Sequence, residues 1–88
     1  PSMLPALFKH IQQQPGAPLC DLKLIQELTP REVDILKMIA QGSTNQQIAE
    51  VYFISPTTVK THVQNIFQKL DVSDRTQAAV FAVRCGLV

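Results

Sequence analysis

Ser55-Pro56-Thr57-Thr58-Val59-Lys60-Thr61-His62-Val63-Gln64-Asn65-Ile66-Phe67-Gln68-Lys69-Leu70 is the stretch on which the fold turns. Ser55 is a good N-cap, and Pro56 suits the first helical position, where no amide donor is needed. Val59, Val63, Ile66, Phe67 and Leu70 then fall on one side of a 3.6-residue helix. Thr57, Lys60, Thr61, Gln64 and Gln68 fall on the other, with one cation and no acid. Threonine and glutamine hydrogen-bond base edges, and lysine is drawn to phosphate or guanine, so this face suits a DNA major groove. It equally suits the solvated side of any amphipathic helix. The surrounding chain has to decide.

With 88 residues, one domain is the natural count, large enough for a small core without metals or disulfides. The chain is 45% apolar and 17% charged, a globular composition. A net charge of +1 gives no strong bulk attraction to polyanions. The charges are nevertheless uneven. Residues 21–50 hold five acids and three bases, net −2, whereas residues 51–88 hold two acids and four bases, net +2. The positive half contains the stretch above. Cys20 and Cys85 have no CxxC partner, and the two histidines are not at ligand spacing, so no metal or other cofactor is expected. Free thiols in a reducing cytoplasm are the expectation. No apolar run approaches a membrane span and no signal peptide is recognised. The opening Pro-Ser reads as a piece of a longer protein.

Residues 2–13 read as a short helix, capped by Ser2, with Leu4, Leu7, Phe8 and Ile11 on one stripe. Gln14-Pro15-Gly16-Ala17-Pro18 breaks it as a linker. Residues 19–27 carry no clear period and read as an extended or turn-like approach. Thr29-Pro30-Arg31-Glu32 is a capping box with a proline at the first helical position, and Leu28 and Val33 occupy the hydrophobic-staple positions. That helix runs to about Gln41, where Gly42 supplies the stop. Its core face is Val33, Leu36, Ile39 and Ala40, widened by Ile35 and Met38. Thr44 with Gln47 is a second capping box, opening a short helix that ends near Val51 and buries Ile48 and Ala49. Tyr52-Phe53-Ile54 reads as a turn holding an apolar plug. Two helices joined by about four residues describe a helix-turn-helix, whose second helix enters the major groove.

After a turn at Asp71-Val72-Ser73, a last helix covers about 74–85 and ends at Gly86. Asp74 with Gln77 forms a third capping box, or Ser73 caps instead. Val80 and Phe81 are not expected to fit together inside so small a domain. The stripe Thr76, Gln77, Val80 and Arg84 is therefore a candidate homodimer contact. The alternative is that Phe81 packs on the linker or on Tyr52.

Leu28-Thr29-Pro30-Arg31-Glu32, Ile39-Ala40-Gln41-Gly42, Asn45-Gln46-Gln47-Ile48-Ala49, Ile54 to Val63, Lys69-Leu70 and Asp74-Arg75-Thr76-Gln77-Ala78 together resemble the LuxR/NarL/FixJ-type DNA-binding domain. The resemblance covers about residues 28–88, in the family's order and spacing. It implies an all-α fold: a four-helix LuxR-type helix-turn-helix domain (28–88), preceded by a linker (1–27) with its short helix at 2–13. Asp71 departs from the family, which usually has glycine there; aspartate tolerates the left-handed conformation better than most residues.

The resemblance also implies roles. Lys60, Thr61 and Gln64 match the base-facing positions. Thr57, Thr58 and Lys69 match positions near phosphates, and Thr44 and Asn45 sit at a helix N-terminus suited to another phosphate. Arg75 either joins the phosphate set or pairs with Glu32 or Asp71. His62 reads as a packed helix residue. Residues 1–14 resemble the segment that follows a receiver domain in response regulators. The expected function is sequence-specific binding of double-stranded DNA by a homodimer on paired half-sites, as the effector domain of a bacterial two-component regulator in the cytoplasm. The missing N-terminal part is a receiver or a ligand-sensing domain, and the transcription machinery is a further partner. A helical protein-interaction module is the alternative from another class. No nucleophile–base pair, carboxylate pair or phosphate loop argues for an enzyme.

Overall fold

The computed structural model describes residues 20–88, so the reading of a helix over 2–13 lies outside the described residues. Five helices follow in order: α1 (Leu22–Gln26), α2 (Pro30–Ala40), α3 (Asn45–Tyr52), α4 (Pro56–Leu70) and α5 (Arg75–Arg84). Local chemistry explains most of the boundaries. Thr29 Oγ1 accepts the Glu32 amide at 3.1 Å while Glu32 Oε1 accepts the Thr29 amide at 2.9 Å. Thr44 and Gln47 repeat that exchange at the same two distances. Asp74 Oδ1 caps α5 through the Gln77 amide. The Gln77 side chain accepts from Ser73 rather than from Asp74, so that box closes one residue early.

The helix ends are equally specified. At α2, the Gly42 amide reaches Ile39 O and the Ser43 amide reaches Met38 O, both at 3.0 Å, the Schellman arrangement that satisfies the last carbonyls. Val72 and Leu87 donate back to Phe67 and Ala82 in the same way at the ends of α4 and α5. The ends of α2 through α5 each turn on one left-handed residue. Gly42 and Gly86 supply two, but Phe53 and Asp71, both at φ 56°, supply the others.

The core lies where α2 packs on α5 and α4, and α3 on α4. Ile35, Leu36, Ile48, Val59, Ile66 and Phe81 are its largest fully buried side chains. Each stabilises the fold by about 1.5–3 kcal/mol through loss of apolar contact with water.

The structure corrects four expectations. Residues 22–26 form a helix instead of an extended approach, started by Asp21 accepting the Lys23 amide at 3.0 Å. Five residues are too few to show a period. Phe53 is no plug: its left-handed backbone turns the ring outward, 94% exposed, while Tyr52 and Ile54 on either side are half-buried. Phe81 is not left over from the core but sits in it, 1% exposed, while Val83 is the large apolar residue that α5 shows to water. Finally, Cys20 and Cys85 are not free. They form a disulfide across 65 residues of chain, with their Cα atoms 4.9 Å apart.

Candidate nucleic-acid interface

The outer face of α4 is laid open by the same geometry that buries its inner face. Val59, Val63, Ile66 and Leu70 are sunk in the core. Thr57, Lys60, Thr61 and Gln64, turned to the other side, are all exposed. Neither α4 nor its Ser55 cap contributes an acidic side chain.

The N-terminal turn of α4 is tied down by its own hydroxyls. Ser55 Oγ accepts the Thr58 amide at 3.1 Å, and its oxygen lies 2.9 Å from Thr58 Oγ1. Thr61 Oγ1 donates back to the Thr57 carbonyl at 3.2 Å. Thr61 therefore presents its methyl group and an acceptor lone pair outward, rather than a free donor. The Lys60 ammonium makes no ion pair or hydrogen bond among the described residues.

At the other end of α4 the geometry differs. Lys69 Nζ lies 2.7 Å from Glu32 Oε1, the same oxygen that caps α2. Glu32 is almost wholly buried, whereas Lys69 keeps about a third of its side chain in water. Burial alone would push the Glu32 carboxyl up. Hydrogen bonds from the Lys69 ammonium and from the Thr29 amide and side chain, with the ammonium's charge, outweigh it and hold the group below its ordinary 4.5. Of the three ammonium hydrogens, one is engaged inside the domain.

Arg75 reaches neither Glu32 nor Asp71. Its guanidinium donates to Asn45 Oδ1 and to the Ser43 carbonyl, both at 2.6 Å. It thus bridges the start of α5 to the start of α3, and its fork leaves three N–H donors. Asn45, with Oδ1 accepting from Arg75, has its amide –NH2 for an outside acceptor. Thr44 is exposed beside it, its hydroxyl occupied by the Gln47 amide.

On α5, Thr76 is exposed, while Gln77, Val80 and Arg84 are half-buried. Val83, one turn on from Val80, is 57% exposed. His62 is half-buried on the flank of α4. Arg31 lies 4.0 Å over the Tyr52 ring, a cation–π contact that sequence patterning does not signal. Residues 31 and 52 are on different helices, and only their packing brings them together. No helix among the described residues is long and apolar enough to cross a membrane.

The GerE family model, bacterial regulatory proteins of the luxR family, matches residues 26–82. The chain is similar to the transcriptional regulatory protein LiaR of Bacillus subtilis, 60% identical over 63 residues that span 72% of this chain and 30% of LiaR. It is 44% identical over 86 residues to the uncharacterized transcriptional regulatory protein YhcZ of the same organism, covering 98% of this chain and 39% of YhcZ. The response regulator protein VraR of Staphylococcus aureus is 50% identical over 66 residues, 75% of this chain and 32% of VraR. The chain thus spans 30–39% of the length of these relatives.

Proposed function

The chain belongs to the luxR family of bacterial regulatory proteins, and on that premise we propose that it is the sequence-specific DNA-binding effector domain of a two-component transcription regulator, working as a homodimer on two half-sites. The observation that carries the reading is the open, acid-free face of α4 set against its fully buried opposite face. In this proposal α4 lies in the major groove. Lys60 addresses guanine or phosphate, Gln64 favours adenine, and Thr61 offers its methyl to thymine. Thr57 and Thr58 lie near one phosphate. Thr44, Asn45 and the α3 N-terminus hold another, where backbone donors and helix dipole favour an anion. Lys69 and Arg75 reach phosphate only with the donors their internal partners leave over.

Few free cations imply weak binding by one copy, because each phosphate contact contributes only about 0.9 to the salt slope. Pairing raises avidity by about 10² or more, so the proposed contact through Thr76, Gln77, Val80 and Arg84, extended by Val83, would be an effective point of control. A receiver preceding Pro1 fits the similarity to VraR, a response regulator protein. The setting would be the cytoplasm, with the transcription machinery as a further partner. The chemistry assigned is binding, with no catalytic step and no cofactor.

The test is selection from a random duplex pool at low salt. Two related half-sites at fixed spacing are expected. A single half-site would remove pairing from this domain, and no enrichment would overturn DNA recognition altogether.

A further inference from the structure

We propose that the Cys20–Cys85 disulfide is a thiol-operated clasp that decides where the domain's tether to the preceding chain begins. Cys85 is the C-cap of α5, at the end of the helix that contributes Phe81 to the core. Cys20 stands just before α1, and the bond fastens that segment to the body.

Little else fastens it. No residue of α1 is buried. Leu24 and Ile25 rest half-buried against the core, and Leu22 is 66% exposed. An open groove is lined by Cys20, Leu22 and Leu24 on one side and by Leu70, Asp71 and Phe81 on the other. A five-residue helix is far below the length at which helices persist unaided, about 12–15 residues. Leu28, by contrast, is a buried core residue at the entry to α2, tied to α1 only by its amide on the Ile25 carbonyl. Opening the bond therefore releases residues 20–27 while the domain from Leu28 onward keeps its packing. Eight extra residues lengthen the tether by up to roughly 26–29 Å.

Cys20 is exposed and Cys85 half-buried, so a small thiol or dithiol reductant has access to the Cys20 sulfur. A reductant thiolate attacks that sulfur and forms a mixed disulfide, and Cys85 leaves as a thiolate that takes up a proton. A second reductant thiol then displaces Cys20. The protein gains two thiols, and the reductant leaves as its disulfide. Where thiols are kept reduced, the disulfides that do form tend to be transient and redox-sensing, which is the behaviour assigned here.

The experiment uses the 88-residue chain, equilibrated with excess oxidised or reduced dithiothreitol and followed by amide resonances and thiol alkylation. In the oxidised chain no alkylated cysteine is expected. On reduction the Leu24, Ile25 and Glu27 amides should move to random-coil positions, while those of Leu36, Ile66 and Ala78 stay in place. Cys20→Ser, which leaves α5 intact, should match the reduced chain under both conditions. Two alkylated cysteines in the oxidised chain would overturn the clasp. So would unchanged Leu24–Glu27 resonances on reduction, which mean that α1 docks unaided. Loss of dispersion throughout would make the bond a staple of the whole fold instead.

Discussion

Lys60 and Lys69 share one helix and one charge, but α4 uses its two ends differently. Around Lys60 the Ser55, Thr58 and Thr61 hydroxyls are engaged internally, and the cation makes no ion pair among the described residues. Around Lys69 the cation locks onto Glu32, which itself caps α2. One half of α4 is kept vacant on the outside, and the other half is bolted to the helix behind it. A helix that reads DNA, as proposed for α4, needs both, since side chains aim at base edges only if the helix that carries them does not shift. The same division holds off α4, where Arg75 uses two donors on Asn45 and Ser43 to fix the start of α3. A count of four bases in residues 51–88 therefore overstates the donors offered to DNA.

The largest effect that would separate the two ends lies at the bolted one. Lys69→Ala leaves the Glu32 carboxylate buried with only the Thr29 groups, and should cost about 1.5–3 kcal/mol of stability at neutral pH. Urea denaturation measures it, and a loss under about 0.5 kcal/mol, the usual range for surface substitutions, would mean that the bolt does not hold. Acid should remove the same contribution. A carboxyl whose folded pKa is depressed below 4.5 adds stability that is full above that value and disappears as pH falls through the folded one. The stability gap between the wild-type chain and Lys69→Ala should accordingly be full at neutral pH and close on acidification, as Glu32 takes up a proton in both chains. A gap unchanged at low pH would assign the cost to lost packing of the lysine stem.

Lys60→Ala is the matching change at the vacant end. Stability should stay within about 0.5 kcal/mol, as for an exposed residue without partners. Affinity for the selected site should weaken by about 1–3 kcal/mol. Fluorescence anisotropy on labelled duplex, alongside urea curves, reads both. If Lys69→Ala lowers DNA affinity as much as Lys60→Ala without unfolding, the two ends are alike and the contrast between them fails. Gln64→Ala refines the vacant end further. It should relax preference at one base pair by about 1 kcal/mol, the lower end of a base contact, and leave binding to random duplex nearly unchanged. Equal losses on both duplexes would remove Gln64 from base reading.

What is legible in the sequence follows the same line between local and distant. Thr29 with Glu32 and Thr44 with Gln47 are three residues apart, and Val59, Val63, Ile66 and Leu70 recur at helical spacing. Boxes, helices and buried face can therefore be read from residue order alone. The pairs Lys69–Glu32, Arg75–Asn45 and Cys20–Cys85 are separated by 37, 30 and 65 residues. Only the packing of the helices on one another decides who meets whom, and a residue type does not announce its partner. Glu32 is readable as a cap but not as the anchor of α4. Phe53 misleads because an aromatic residue in a turn is usually an inward plug, and the left-handed backbone that points it outward is not visible in composition. α1 escapes notice because five residues cannot display a period.

The smallest effect tests how firmly the two ends of α4 are set by the backbone itself. α2 and α5 end on Gly42 and Gly86 at positive φ, whereas the turns on either side of α4 rest on Phe53 and Asp71 at φ 56°. A side chain in that conformation costs roughly 1–2 kcal/mol relative to glycine, less for aspartate than for an aromatic residue. Glycine in turn loses more freedom on folding, which offsets part of the gain. Asp71→Gly, at the bolted end, should therefore raise stability by only about 0.5 kcal/mol. Phe53→Gly, ahead of the vacant end, should gain slightly more, because its ring is 94% exposed and gives up no packing. Thermal melts of the two variants measure the order. If Phe53→Gly destabilises instead, its ring contributes contacts to the folded chain, and the turn before α4 is held by more than its backbone.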